Sequence, residues 1–104
     1  MKSNKVKIAA IQKAPVFLNK KASIELACEL IVEVGKGGAS LAVFPEAFIP
    51  SYPDWVWAVP SGRKPVLNQL YTRLLENSVS IPDQATDRLC RAAQKAEIYV
   101  AIGI

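Results

Sequence analysis

The stretch Leu41-Ala42-Val43-Phe44-Pro45-Glu46-Ala47-Phe48-Ile49-Pro50-Ser51-Tyr52-Pro53 opens on four apolar residues, and a proline then halts them. Leu41 to Phe44 reads as a short strand that is hydrophobic on both faces, as buried parallel strands are. Pro45 lacks the amide that would continue a ladder. Upstream, Gly35, Gly37 and Gly38 end a helical window over about Lys20 to Lys36, with Asn19 placed to cap it. Within that window Ile24, Ala27, Cys28, Ile31 and Val34 recur at helical spacing and form a stripe to be buried. Glu25, Glu29 and Glu33 repeat on the other side. Like charges four residues apart repel unless water screens them, so they read as a solvated face and not as a metal site. Still further upstream, Val6 to Ile11 is a first strand, and Pro15 lies in the connection after it. Strand, amphipathic helix and strand make a βαβ unit with a parallel sheet.

Downstream, Pro50, Pro53 and Pro60 make Ala47 to Lys64 a structured loop. Pro65 suits the first turn of a helix running to about Asn77, with Leu67, Leu70, Tyr71, Leu74 and Leu75 along one face. Ser80 to Asp83 interrupts. A third helix near Gln84 to Ala96 offers Ala85, Leu89, Ala92, Ala93 and Ala96 to a core, and Tyr99 to Ile104 is a third strand. The fold class is α/β, with three strands and three helices. The last strand ends on Gly103-Ile104 with no covering helix and no polar tail, so residues 1–104 are expected to be one portion of a single domain, truncated on the C-terminal side.

Composition narrows the functions. With 51% hydrophobic and 21% charged residues and a mean hydropathy of +0.18, the 104-residue chain has the balance of a globular interior. The net charge is +4 and the pI near 9.2, yet the bases are scattered over Lys2, Lys5, Lys7, Lys20, Lys21, Arg63 and Lys64. No run of five and no RNA-binding aromatic signature accompanies them, so no nucleic-acid partner is expected. Cys28 and Cys90 form no CxxC and there is no histidine, too few soft ligands for zinc. Two cysteines make no disulfide framework, which points to a reducing, cytoplasmic setting. No apolar run approaches the length of a membrane span.

Chemistry centres on Glu46. In open α/β sheets ligands collect outside the carboxyl ends of the strands, and a carboxylate just past such an end can serve as a general base. Position alone leaves an exposed or capping glutamate as the simpler reading, but the neighbouring residues turn the balance. The run Leu41 to Pro53 resembles the first catalytic motif of the nitrilase superfamily, a hydrophobic strand followed by Phe-Pro-Glu. Lys7-Ile8-Ala9-Ala10-Ile11-Gln12 with Ala14-Pro15-Val16 is similar to that family's first strand and turn. Tyr52-Pro53-Asp54-Trp55-Val56-Trp57 is closer to the nitrilase branch than to the amidase branches.

The resemblance implies an α-β-β-α sandwich, of which this chain is the N-terminal part, and a Glu–Lys–Cys triad that hydrolyses nitriles or amides without metal or organic cofactor. Glu46 matches the triad's general base. The family's lysine and cysteine lie well downstream of this motif, and no position here matches them. Cys28 on a buried stripe and Cys90 beside Leu89 are not carried over as the nucleophile. The resemblance also implies a homo-oligomer that can extend into spirals. One residue departs from the pattern: Ser51 stands where nitrilases often have glycine, and a positive φ there would cost serine about 1 kcal/mol. Tyr52, Trp55 and Trp57 are candidates to line an apolar substrate pocket, with Tyr52 favoured because it is nearest to Glu46 in the chain.

Overall fold

The computed structural model describes residues 4–104. Three short strands, β1 (Ile8–Ala10), β2 (Leu41–Val43) and β3 (Tyr99–Ala101), form a parallel sheet in the order β1-β2-β3. The register places Leu41 between Ile8 and Tyr99, and Val43 between Ala10 and Ala101. Pairing runs a little beyond the strands. Ile11 donates to the Val43 carbonyl at 2.8 Å and Phe44 to that of Ala101 at 2.8 Å.

Helix α1 (Lys20–Lys36) follows β1, and α4 (Gln84–Ala96) precedes β3. Two right-handed crossovers stepping the same way across a sheet put both helices on one face. The two helices pack against each other there, closely enough that a Cβ on Gly35 would meet the Ala96 Cβ at 3.0 Å. Asn19 caps α1 as expected, its Oδ1 accepting from the Ala22 amide, and the structure adds a reciprocal capping box of Asp83 and Thr86 at the start of α4. Ile24, Ala27 and Ile31 are buried as the stripe requires, together with Leu30 and Ser23, while Glu25, Glu29 and Glu33 face solvent.

The core lies between this helix layer and one side of the sheet. It gathers Ile11, Ile24, Ala27, Ile31, Ala42, Phe44, Phe48, Ile49, Ala85 and Leu89. The opposite side of the sheet is bare: Ile8, Val43 and Tyr99 are 58%, 39% and 80% exposed.

The region between β2 and α4 differs from expectation in two respects. Trp55–Ala58 forms a single helical turn, α2, inside the segment read as loop, which brings the helices to four. Helix α3 (Lys64–Glu76) carries its apolar stripe but buries none of it, and Leu75 is 73% exposed. The reason is its place in the chain: α3 belongs to an excursion between α2 and α4, not to a crossover lying on the sheet.

The joint between α1 and α4 is electrostatic as well as apolar. Asp83 accepts from the Thr86 amide at 2.8 Å, the Lys20 ammonium at 2.9 Å and the Ser80 amide at 3.1 Å. The Thr86 bond first, then Lys20, holds its carboxyl well below the usual carboxylate range. A carboxyl depressed on folding stabilises above its unfolded pKa of about 3.9, and the stabilisation drains away as pH falls from there toward the folded value. Asp83→Ala in the whole protein is therefore expected to lower the melting temperature at pH 7. The gap from the parent should narrow steadily below pH ~4; a gap that stayed constant on acidification would show that the carboxylate's charge contributes nothing.

Candidate active site

Glu46 stands just beyond the carboxyl end of β2, the central strand, with its side chain exposed. The residues around it form an arch from Phe44 to Ile49 whose two feet are tied to the last residue of β3 and to the chain just beyond it. The Phe44 amide donates to the Ala101 carbonyl, and the Ile49 amide to the Gly103 carbonyl at 3.4 Å. Behind Glu46 the chain turns sharply, with Ala47 in the left-handed region at φ 48°. Phe48 and Ile49, both fully buried, then anchor it. Phe44 meets Phe48 edge-to-face at 5.1 Å between ring centroids, a favoured aromatic geometry that clasps the arch from below.

Gly103 lies against this arch. A Cβ placed on it would come within 2.5 Å of the Ala47 nitrogen, 2.9 Å of the Glu46 Cα and 2.9 Å of the Pro45 oxygen. All three are backbone atoms that cannot swing aside. The sequence reading passed over Gly103 as part of a strand. The available signal was a lone glycine in an apolar run, which commonly marks another backbone in close approach.

The other wall of the loop is tied to the segment after β1. Ser51 does occupy a positive φ, 138°, where glycine would be at ease. It is nevertheless buried, and its hydroxyl accepts from the Leu18 amide at 3.2 Å. That bond satisfies a buried backbone donor, which offsets part of the strain. Ser23 joins the same segment to α1 by exchanging two bonds with Val16, its Oγ donating to the carbonyl at 3.0 Å and accepting from the amide at 3.1 Å.

The three aromatic candidates separate. Trp55 is buried and meets Tyr71 edge-on at 4.7 Å, so it packs α2 against α3. Tyr52 stacks on Trp57 at 5.9 Å and 18°, and both rings are exposed, at 44% and 75%. They form a surface pair, not the lining of an enclosed pocket in this segment. A cleft of about 600 Å³ does exist, but it opens between α1 and α4 and is lined by Lys20, Asn77, Asp83 and Arg88. Its Lys20, Asn77 and Asp83 are engaged in capping and in the Lys20–Asp83 pair, and Glu46 is not among its lining residues.

Cys28 lacks the setting of an activated thiol. Cys28 is half-buried and donates to the Arg88 carbonyl at 3.7 Å. Burial pushes its thiol up, Arg88 opposing, and a raised pKa leaves little thiolate. Among the described residues no cluster of three or more histidine, cysteine or acidic residues could hold a metal ion, and no helix is long and apolar enough to cross a membrane.

Residues 7–104 match the carbon–nitrogen hydrolase family. The chain belongs to that family. Among curated carbon–nitrogen hydrolases and their kin, it is similar to an arylacetonitrilase of Aspergillus niger, 38% identical over 102 residues. That alignment takes in 98% of this chain and 29% of the relative. A nitrilase of a Bacillus species is 37% identical over 100 residues, covering 96% of this chain and 28% of that protein. A nitrilase 2 from an unknown prokaryotic organism is 41% identical over 99 residues, 95% of this chain and 31% of that protein. The chain thus spans a little under a third of the length of the hydrolases it matches. Three parallel strands with helices on one face agree with an N-terminal portion of the nitrilase fold.

Proposed function

We propose that the whole protein is a nitrilase that converts an organic nitrile to a carboxylate and ammonia, and that residues 1–104 are the N-terminal portion of its single catalytic domain. Glu46 is the general base in this reading. The observation that supports it best is the placement of Phe44-Pro45-Glu46 at the carboxyl end of the central strand, on an arch tied down at both feet.

The chemistry assigns Glu46 one task. A thiol with an ordinary pKa near ~8.5 is only a few per cent thiolate at neutral pH. Glu46 would take the proton of the triad cysteine as its sulfur adds to the nitrile carbon, giving a thioimidate. One water then releases ammonia and leaves a thioester, and a second water frees the carboxylic acid and restores the thiol. Two waters are consumed for each nitrile, and no metal or organic cofactor is needed. Tyr52, exposed and stacked on Trp57, is the candidate for the substrate's apolar side. The arylacetonitrilase names among the relatives favour nitriles with an aryl group one carbon away. A homo-oligomer in the cytoplasm, with no nucleic-acid partner, completes the proposal.

The test is to incubate the whole purified protein with phenylacetonitrile, benzonitrile and the matching amides, measuring ammonia and acid together. Ammonia and phenylacetic acid in equal amounts are expected. Turnover of the amides with none of the nitriles would replace this reading with an amidase.

A further inference from the structure

We infer that Gly103 is a positioning residue: by lacking a side chain it lets the Phe44–Ile49 arch close against the end of β3, and this closure sets where the Glu46 carboxylate stands. The inference rests on the reading of Glu46 as the general base and adds a second residue to that site.

Gly103 approaches the arch from within, at its most constrained point. The three backbone atoms that a Cβ would strike belong to Pro45, Glu46 and Ala47, so the Glu46 Cα itself is one of the contacts. Ordinary van der Waals contact begins at 3.4 Å, whereas the tightest approach would be 2.5 Å; relieving it demands a backbone shift of about 1 Å. The arch has little means of absorbing such a shift. Pro45 fixes its own φ, Ala47 already sits at φ 48°, and Phe48 and Ile49 are locked in the core. The Ile49 amide also bonds to the Gly103 carbonyl, so pushing the arch away strains that contact too. The displacement is therefore directed at Glu46. The glycine is required for close approach and not for its own dihedral freedom, since its φ lies outside the left-handed region.

The experiment is a double-mutant cycle in the whole protein, with kcat taken per folded, oligomerised enzyme. Gly103→Ala is expected to lower kcat for the nitrile by about 10- to 100-fold with KM changed little, the size of effect a misplacement near 1 Å produces. Introduced into Glu46→Gln, the same substitution should reduce the residual rate less than about twofold, because no carboxylate remains to misplace. Gly62→Ala, which meets nothing within 4 Å, should change neither rate nor stability. Gly35→Val, directed at Ala96 in the helix layer, should lower the melting temperature but leave kcat per folded enzyme near normal. Equal losses from Gly103→Ala with and without the Glu46 carboxylate would overturn the inference and leave a purely structural role. So would a normal kcat in Gly103→Ala.

If Gly103→Ala does not accumulate as folded protein, the cycle is run with Ala47→Gly, which keeps Gly103 and frees the turn behind Glu46. A loss of rate that vanishes in the Glu46→Gln background supports positioning by the arch. A loss of equal size in both, or none in either, sinks it. Failure of the underlying reading looks different: Glu46→Gln would then retain its rate whatever stands at position 103.

Discussion

Glu46→Gln in the whole protein is expected to leave a folded enzyme whose nitrile hydrolysis has fallen by about 10²–10⁴-fold, the usual range for loss of a general base. The drop can be larger if base, lysine and cysteine act as a unit, because effects within such sets are far from additive. Glutamine keeps the length and shape of the side chain, and the exposed carboxylate makes no hydrogen bond that the fold needs, so the arch should stand unchanged. The informative control is Glu29→Gln, an exposed glutamate on the solvated face of α1. It should leave rate and stability within error, since surface substitutions away from special features rarely exceed ~0.5 kcal/mol. Alkylation of the whole protein's active-site thiol at neutral pH gives a readout independent of turnover: without its base the cysteine should react more slowly. Near-normal nitrile and amide hydrolysis by folded Glu46→Gln would falsify the assignment of Glu46 as base.

The 104-residue segment expressed alone is expected to show no nitrile or amide turnover and to self-associate or remain loosely packed. It carries one member of the proposed triad, so a covalent route has no nucleophile. Its sheet also presents Ile8, Leu41, Val43 and Tyr99 on an uncovered face, flanked by two edge strands whose ladders can extend. Removing that face from water is worth about 25 cal/mol per Å² of apolar surface, and pairing with another copy is the readiest way to gain it. Ultracentrifugation and calorimetry decide the matter. A monomer with a sharp cooperative melt would contradict the packing argument. Ammonia release above a buffer blank, abolished by Glu46→Gln, would contradict the catalytic one.

Much of this site is legible in the linear sequence because its determinants are local. An apolar run, a proline that stops it and a glutamate immediately behind need only the period of a strand and the missing amide of proline to be read as a carboxylate at a strand end. The helices α1 and α4 are legible for a similar reason, since Asn19 and the spacings of Ile24, Ala27 and Ile31 and of Ala85 and Leu89 act within a turn or two of themselves. The Ser51 conflict shows only against the family resemblance, which implies a glycine at that position, and the structure answers with φ 138°.

Tertiary structure alone decided what depends on residues distant in the chain. That Leu75 lies open while Leu89 is buried follows from which helix rests on the sheet, and the two stripes look alike until the crossovers are placed. That Tyr52 stacks on Trp57 while Trp55 turns inward to Tyr71 follows from one turn of helix among prolines, too short for periodicity to register. The closure of the Glu46 arch on Gly103 joins residues more than fifty positions apart through backbone contact, and contact of that kind leaves no trace in the pattern of apolar and polar side chains. The sequence by itself determined the βαβ frame and the carboxylate at the end of its central strand, because strand period, capping and proline act locally. Where that carboxylate is held was decided only when the parallel register brought the end of β3 beneath it.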